Sequence, residues 1–212
     1  MHRFASSRGG GATREYWAPL RAREIAIVVG VMSPAVGPEP FGFVGFGEAL
    51  AMLSLQEHLD NVVVAQAGEV SAFRARNLVL LGGPDLNAAT RFAMLGGQVP
   101  VRFGYDPVQL CVEEDAAYTP VFRSGRLARD YGFVARVPSP FADECTAVLL
   151  VGIFGAATLA AARLAASADG TASMMSVNGG RCLTVFSVDV DRSGEIAAPK
   201  IERIWALGET SA

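Results

Sequence analysis

The chain is poor in the residues that most enzymes use for nucleophilic and acid–base chemistry. Among its 212 residues it has one lysine, Lys200, and two histidines, His2 and His58. A Ser-His-Asp triad needs an imidazole beside its nucleophile, but His2 lies in the N-terminal segment and His58 at the end of a predicted helix. Lys200 lies in the last segment, where a Schiff-base or phosphate-loop lysine is not expected. Triad hydrolysis and lysine chemistry are therefore disfavoured.

Cysteine and charge are also scarce. Cys111, Cys145 and Cys182 are widely separated and form no CxxC pair, so neither a zinc site nor a disulfide framework is indicated, and we expect a cytoplasmic protein. Charged residues make up 18% of the chain, against roughly 25% in an average soluble domain, which predicts a homo-oligomer or a protein partner. The net charge of −3 and the scattered arginines disfavour nucleic acid as a partner.

Neither a signal peptide nor a membrane span is expected. Residues 1–15 lack an apolar h-region and are predicted to form a flexible arm, which leaves residues 16–212 as one domain. Residues 145–162 carry no charge over 18 residues, the lower edge of spanning length. A strand, a glycine turn and an alanine-rich buried helix explain this run without a bilayer.

Apolar runs alternate with helical segments along the chain. Strands are predicted at residues 24–30, 61–67, 77–83 and 146–152, and helices at residues 46–59, 86–95 and 156–168. Short β segments between residues 98 and 135 predict an antiparallel insertion or edge, and residues 182–206 predict final strands, with a closing hairpin as one option. The alternation predicts an α/β, Rossmann-like three-layer fold with a mostly parallel sheet.

Three glycine-rich segments follow predicted strands: VGVMSPAVGPEPFGFVGFGEA, GGPDLN and GIFGAAT. Ligands of open parallel sheets bind beyond the carboxyl ends of the strands, so these segments are predicted to share one crevice. Glycines there let the backbone approach a ligand, and the following helices offer N–H groups to an anion. The latter two segments match neither GxGxxG nor GxxxxGK[ST], so glycines that only turn the chain are the alternative. The candidate glycines are Gly82, Gly83, Gly152 and Gly155.

Several polar side chains lie near these segments. Asn87 and Thr158 could bind a ligand at a helix start, although asparagine is also a common N-cap. Glu48 is a weak candidate for a catalytic carboxylate, and its alternative is a first-turn residue favoured by the helix dipole. Asp85 and Asp106 have the same two interpretations.

The order of the motifs resembles a known kind of module. EYWAPLRAREIAIVVG, NLVLLGGPDLNAATR, RDYGFVARVPSP, AVLLVGIFGAATLAAARL and RIW follow one another. In this order, over residues 16–205, they resemble a poorly characterised bacterial Rossmann-like module of the kind attached to regulatory or signalling domains. Ala157 stands where a second glycine would be expected, which puts a close phosphate approach in doubt. The resemblance implies recurrent motif positions at Asn87, Asp130, Tyr131, Gly155 and Thr158.

Three interpretations of the function remain open. The first is a non-catalytic sensor that binds a small nucleotide-like or other anionic ligand at the glycine-rich turns and signals to a partner or a fused domain. The second is an enzyme of glycosidic-bond chemistry on nucleotides that uses Glu48. The third is a scaffold whose glycine turns hold no ligand. No motif identifies a cofactor or a metal site.

Overall fold

The computed structural model of the protein describes residues 9–32, 43–56, 58–68, 73, 75–112 and 116–208. Its helices are α1 (Gly9–Arg21), α2 (Phe46–Gln56), α3 (Ala88–Leu95), α4 (Gly155–Ala166) and α5 (Ala168–Met175), with a 3-10 turn at Asn178–Gly180. Its first strands are β1 (Ile25–Val29), β2 (Val62–Gln66), β3 (Asn77–Leu81), β4 (Val101–Tyr105), β5 (Val108–Val112) and β6 (Ala116–Tyr118). The remaining strands are β7 (Val121–Arg123), β8 (Arg126–Pro138), β9 (Thr146–Gly152), β10 (Cys182–Asp189) and β11 (Lys200–Ala206).

The centre of the fold is an eight-stranded sheet with a parallel part and an antiparallel part. Its order is β11-β10-β8-β9-β3-β1-β2, with β7 paired to β8. Strands β2, β1, β3 and β9 are parallel. Every residue of β1 and β3 is buried, as their uninterrupted apolar runs require in a sheet covered on both faces. The predicted parallel, adjacent strands β1, β3 and β9 are confirmed.

The predicted antiparallel insertion divides between two sheets. Strands β4, β5 and β6 form a separate antiparallel sheet, whereas β8 pairs with β9 and β10 and so extends the main sheet. The final strands β10 and β11 pair antiparallel, as the sequence allowed. The antiparallel strands are therefore a large part of the main sheet rather than only an insertion at its edge.

Helices cover both faces of the main sheet. On one face α1, α2, α4 and α5 pack on Ile25, Ile27 and Val29 of β1. On the other face α3 and the small sheet pack on Ala26 and Val28. The mixed α/β class and the parallel centre of the sheet are therefore confirmed.

One predicted boundary needs correction, and one prediction about an apolar run is confirmed. Helix α1 begins at Gly9, inside the segment that was predicted as a flexible arm, and residues 1–8 lie outside the described part of the chain. Tyr16 and Trp17 of α1 are fully buried in the core, so this helix is held against the rest of the fold. The apolar run at residues 145–162 is divided between β9 and α4, and none of the described helices is both long and apolar enough to cross a membrane.

Candidate functional site

The three glycine-rich segments meet at the carboxyl ends of the parallel strands. Residues 45–48, 83–86 and 152–155, together with Phe103 and Thr158, line one cavity of about 470 Å³, which we call the glycine cleft. The convergence follows from topology: β3 and β9 are parallel neighbours, so the turns after them emerge at the same edge of the sheet. Residues 33–42 of the first glycine-rich segment lie outside the described part of the chain.

Close backbone contacts hold the cleft together. A β-carbon added to Gly83 would lie 3.4 Å from the carbonyl oxygen of Gly152, so the two turns run side by side. Helices α2 and α4 approach each other at Gly47 and Gly155, where a β-carbon on Gly47 would collide with the carbonyl group of Gly155. Gly155 therefore has a packing role between two helices, in addition to its place in the cleft lining.

Aromatic and apolar side chains form much of the cleft wall. Phe46, Phe103 and Phe154 line it together with Leu86 and Ile153. Phe46 is 80% exposed, and the ring of Phe154 meets that of Phe122 edge-on at a centroid distance of 5.9 Å. None of these rings was predicted from the sequence as part of a site. Phe46 and Phe154 could have been found because they adjoin the glycine turns, whereas Phe103 comes from β4 and has no such signal.

Glu48 is a buried acid of the cleft without a hydrogen-bond partner in the described part of the chain. It is the third residue of α2 and is 8% exposed. Its carboxylate folds back over Gly45, where a β-carbon would collide with Oε2, and a β-carbon on Gly82 would lie 3.0 Å from Oε1. Glycine at these two positions therefore leaves the space that the carboxylate occupies. A ligand group that donates a hydrogen bond would complete this arrangement.

Asp85, the second acid of the cleft, already has a partner. Its Oδ1 accepts a hydrogen bond of 2.6 Å from the Tyr105 hydroxyl, and both side chains are exposed. Arg91 is near but does not line the cleft, and its Nε donates to the carbonyl of Pro84 at 2.8 Å. Among the described lining residues, Glu48 and Asp85 are the charged ones, so the lining has negative charge and no cation. Asp106, the third acid considered, lies in the turn between β4 and β5 and does not line the cleft.

Asn87 does not line the cleft, and its side chain makes all four of its hydrogen bonds with backbone groups. Its Oδ1 accepts from the N–H groups of Ala89 and Thr90 at 3.0 and 3.1 Å. Its Nδ2 donates to the carbonyls of Val28 and Leu81 at 3.0 and 2.8 Å. The side chain is fully buried. Asn87 therefore caps α3, as the structural alternative from sequence has it, and joins this helix to β1 and β3.

The N-terminus of α4 already holds an anion that belongs to the protein. Asp130 of β8 is fully buried, and its Oδ2 accepts from the N–H groups of Phe154 and Ala157 at 3.2 and 2.9 Å. Its Oδ1 accepts from the N–H of Tyr131 at 2.9 Å. Burial raises the pKa of Asp130 to about 7, against the lowering effect of the three N–H groups. The phosphate cradle expected at this helix start is therefore occupied by a carboxylate.

The other residues that were predicted from the sequence differ in their position relative to the cleft. Thr158 is 1% exposed and lines the cleft, and its hydroxyl donates a long hydrogen bond of 3.5 Å to the Phe154 carbonyl. Gly82 has a φ of 88°, a left-handed conformation that favours glycine, and it contacts the cleft through Glu48. Tyr131 packs its ring against Tyr118 at 5.6 Å. Within the described residues, no group of three or more His, Cys, Asp or Glu is placed to hold a metal ion.

The contact between Gly47 and Gly155 predicts an asymmetric response to alanine. Gly47→Ala is expected to lower the free energy of unfolding by roughly 1–3 kcal/mol, because its methyl group has only rigid backbone to displace. Gly155→Ala is expected to change it by less than about 1 kcal/mol, because its β-carbon would lie 3.5 Å from the Gly47 Cα, an ordinary contact. Urea unfolding of the two variants measures both values. Equal losses would show that this contact does not set the spacing of α2 and α4.

Comparison of the chain with models of known protein families, with curated proteins and with solved structures finds no match. The candidate function therefore has to be argued from the cleft itself.

Proposed function

We propose that the chain is a non-catalytic, ligand-sensing module of Rossmann-like architecture whose glycine cleft binds a small nucleobase-containing ligand. The observation that carries the proposal is the pairing of aromatic walls with the carboxylate of Glu48, a residue that is 8% exposed and has no hydrogen-bond partner in the described part of the chain. Phe46, Phe103 and Phe154 offer apolar ring faces, on which a planar base can stack. The Glu48 carboxylate is an acceptor for the N–H groups that bases carry. The cavity of about 470 Å³ lies in the usual range of roughly 300–1,000 Å³ for small-ligand sites.

The same cleft disfavours the anionic ligand that glycine turns suggest from sequence. The start of α3 is capped by Asn87 and the start of α4 by Asp130, so much of their N–H capacity is already used. The charged groups of the described lining are Glu48 and Asp85, and both would repel a phosphate placed there. A neutral base or nucleoside fits this lining better than a nucleotide bound through its phosphate.

A glycosidic-bond enzyme is the second candidate, and one observation favours it. Asp85 lines the same cleft as Glu48, so the two carboxylates that such chemistry uses are present together. Against this, Asp85 is exposed and bonded to Tyr105, and no hydrogen bond orients the Glu48 carboxylate in the described residues. Release of free base from a nucleoside, abolished by Glu48→Gln, would support catalysis instead of sensing.

The signal would pass through α3 to a second copy of the chain or to a protein partner. Helix α3 starts directly after residues 83–86 of the cleft, so a ligand that orders this turn would also affect the helix. Phe92 and Leu95 of α3 are 54% and 78% exposed, which leaves apolar surface for a contact. In the scaffold interpretation, α3 makes the same contact with a partner, but the glycine cleft binds no ligand.

Nucleosides are expected to stabilise the protein, and two cleft variants are expected to lose the effect. A ligand at 100 times its Kd adds about 2.7 kcal/mol, a rise in Tm of roughly 5–10 °C for a domain of this size. The screen compares the four ribonucleosides, their 5′-monophosphates and dinucleotide cofactors by thermal shift. Phe46→Ala and Glu48→Gln should each weaken nucleoside binding at least about tenfold, since stacking on one aromatic ring contributes roughly 1–3 kcal/mol.

Leu95→Ala is the matched control for Phe46→Ala. Both side chains are about equally exposed, at 78% and 80%, but Leu95 lies outside the cleft, so its variant should bind nucleosides like the parent chain. If no compound of the screen raises Tm, the scaffold interpretation is favoured. If nucleosides bind equally well to the parent and both cleft variants, the glycine cleft is not their site.

A further inference from the structure

A second cavity of the protein is lined by several arginine residues. It has a volume of about 720 Å³ and lies between the β7–β8 hairpin and the turn that follows β10. Arg123, Arg126, Arg129 and Arg192 line it, together with Asp189 and Asp191, and we call it the arginine groove. It shares no lining residue with the glycine cleft. The arginines are scattered in the sequence, and the fold brings these four together.

The β7–β8 hairpin places two of these arginines face to face. Ser124 and Gly125 form its turn with φ values of 51° and 74°, the left-handed pair typical of two-residue hairpin turns. This turn makes Arg123 and Arg126 direct cross-strand partners. Like charges directly opposite each other destabilise a strand pair. The hairpin therefore has a repulsion that a bound anion would relieve.

The turn after β10 adds a third guanidinium group from the other side. Arg192 lies in this turn, and its carbonyl accepts a hydrogen bond of 3.4 Å from Arg126 Nη1. This bond connects the two segments that form the groove, although they are 66 positions apart in sequence.

The two carboxylates of the groove have partners within the protein, and four arginines against two aspartates leave its lining with a net charge of +2. Asp189 Oδ1 accepts from Arg129 Nε at 2.6 Å, and this bond lowers the pKa of Asp189. Asp191 Oδ1 accepts from the Ser193 hydroxyl at 2.6 Å and from the N–H groups of Ser193 and Glu195 at 2.8 and 2.9 Å, and these bonds lower the pKa of Asp191. Arg123, Arg126 and Arg192 form no ion pair within the described part of the chain.

We infer that the arginine groove is a binding site for a small polyanion of the phosphate class, with at least two negative charges. Guanidinium groups bind phosphate oxygens through two parallel hydrogen bonds, so three of them suit more than one charged oxygen centre. The volume fits a small molecule, and the overall charge of −3 gives no field for a long nucleic acid. This site is independent of the ligand proposed for the glycine cleft.

Pyrophosphate is the probe that tests the groove, with affinity measured by titration calorimetry at low ionic strength. The parent chain is expected to bind it, and the double variant Arg123→Gln/Arg126→Gln is expected to bind at least about tenfold more weakly. The charge-matched control is Arg14→Gln/Arg102→Gln, which removes two exposed arginines outside the groove and should keep the parent affinity. No binding by the parent chain, or equal losses in the two double variants, would overturn the proposal.

Two further measurements separate this proposal from other origins of the cluster. Without any anion, Arg123→Gln should raise Tm at low salt and raise it less at 1 M salt, because the repulsion it removes is screened. A fall in Tm on this substitution would contradict the repulsion on which the inference depends. Tighter binding of a single-stranded polynucleotide than of pyrophosphate, lost in the Arg123→Gln/Arg126→Gln variant, would overturn the small-anion assignment in favour of a nucleic-acid surface.

Discussion

Replacing Asp130 with asparagine is expected to remove most of the pH dependence of stability between about pH 4 and pH 7. The native carboxyl has its pKa raised to about 7 by burial, whereas an unfolded aspartate titrates near 3.9. In that interval the unfolded chain releases its proton first, so the native state binds more protons and stability falls as pH rises. The contribution is fully present below about pH 4 and is lost by about pH 7. The shift corresponds to about 4 kcal/mol at most.

The measurement is the free energy of unfolding by urea at four pH values from 4.5 to 7.5. The parent chain should lose stability across this series, and Asp130→Asn should give a nearly flat line. Asp143→Asn is the control, because Asp143 is exposed and lies in the loop between β8 and β9, and it should keep the parent slope. A parent chain whose stability rises from pH 4.5 to pH 7.5 would show that the three N–H bonds, and not burial, control the titration of Asp130.

The glycine cleft could be predicted from sequence because its parts follow from strand direction. The apolar runs that form β1, β3 and β9 have no polar positions, which is typical of strands covered on both faces. Once these strands are parallel neighbours, the turns after them must meet at one edge. Glu48 could be placed nearby for the same reason, since it follows the loop that leaves β1.

The chemistry of the cleft could not be predicted because it depends on long-range contacts. Asp130 reaches the N–H groups of α4 across 24 and 27 positions of sequence, and this contact exists only because β8 and β9 pair with Gly132 opposite Gly152. A sequence pattern shows a glycine turn before a helix, but it does not show that a carboxylate from a neighbouring strand fills the helix start. The sequence predicted an anionic ligand at this helix start because it does not show that Asp130 already accepts hydrogen bonds from these N–H groups.

The arginine groove combines a contact that could be predicted from the sequence with one that could not. The segment RSGR contains a Ser-Gly pair that is typical of tight turns, so the pairing of Arg123 with Arg126 was within reach of the sequence. Arg192 enters from a turn 66 positions after Arg126, and nothing local connects the two. The sequence alone therefore predicts a hairpin in which Arg123 and Arg126 repel each other. Only the fold shows that Arg192 lines the same cavity.

Substitutions of Asn87 can distinguish a structural role from a ligand-binding role. Its side chain both caps α3 and donates hydrogen bonds to the carbonyls of Val28 and Leu81. Asn87→Ala is expected to lower the free energy of unfolding by roughly 3 kcal/mol. Loss of the N-cap costs about 1 kcal/mol, and the buried carbonyls of Val28 and Leu81 each lose a donor at a cost of roughly 1 kcal/mol or more. Chemical denaturation of the parent chain and the variant measures the difference.

Two conservative variants separate these functions. Asn87→Ser keeps a capping oxygen but has no amide to reach the carbonyls, so it should lose less stability than Asn87→Ala. Asn87→Asp keeps the cap but turns a carboxylate oxygen toward the carbonyls of Val28 and Leu81 in a fully buried position, so it should lose the most. The folded fraction of Asn87→Ser should bind any cleft ligand with the parent affinity, because the side chain does not line the cleft. An Asn87→Ala variant that is as stable as the parent but binds the ligand more weakly would instead make Asn87 a ligand contact.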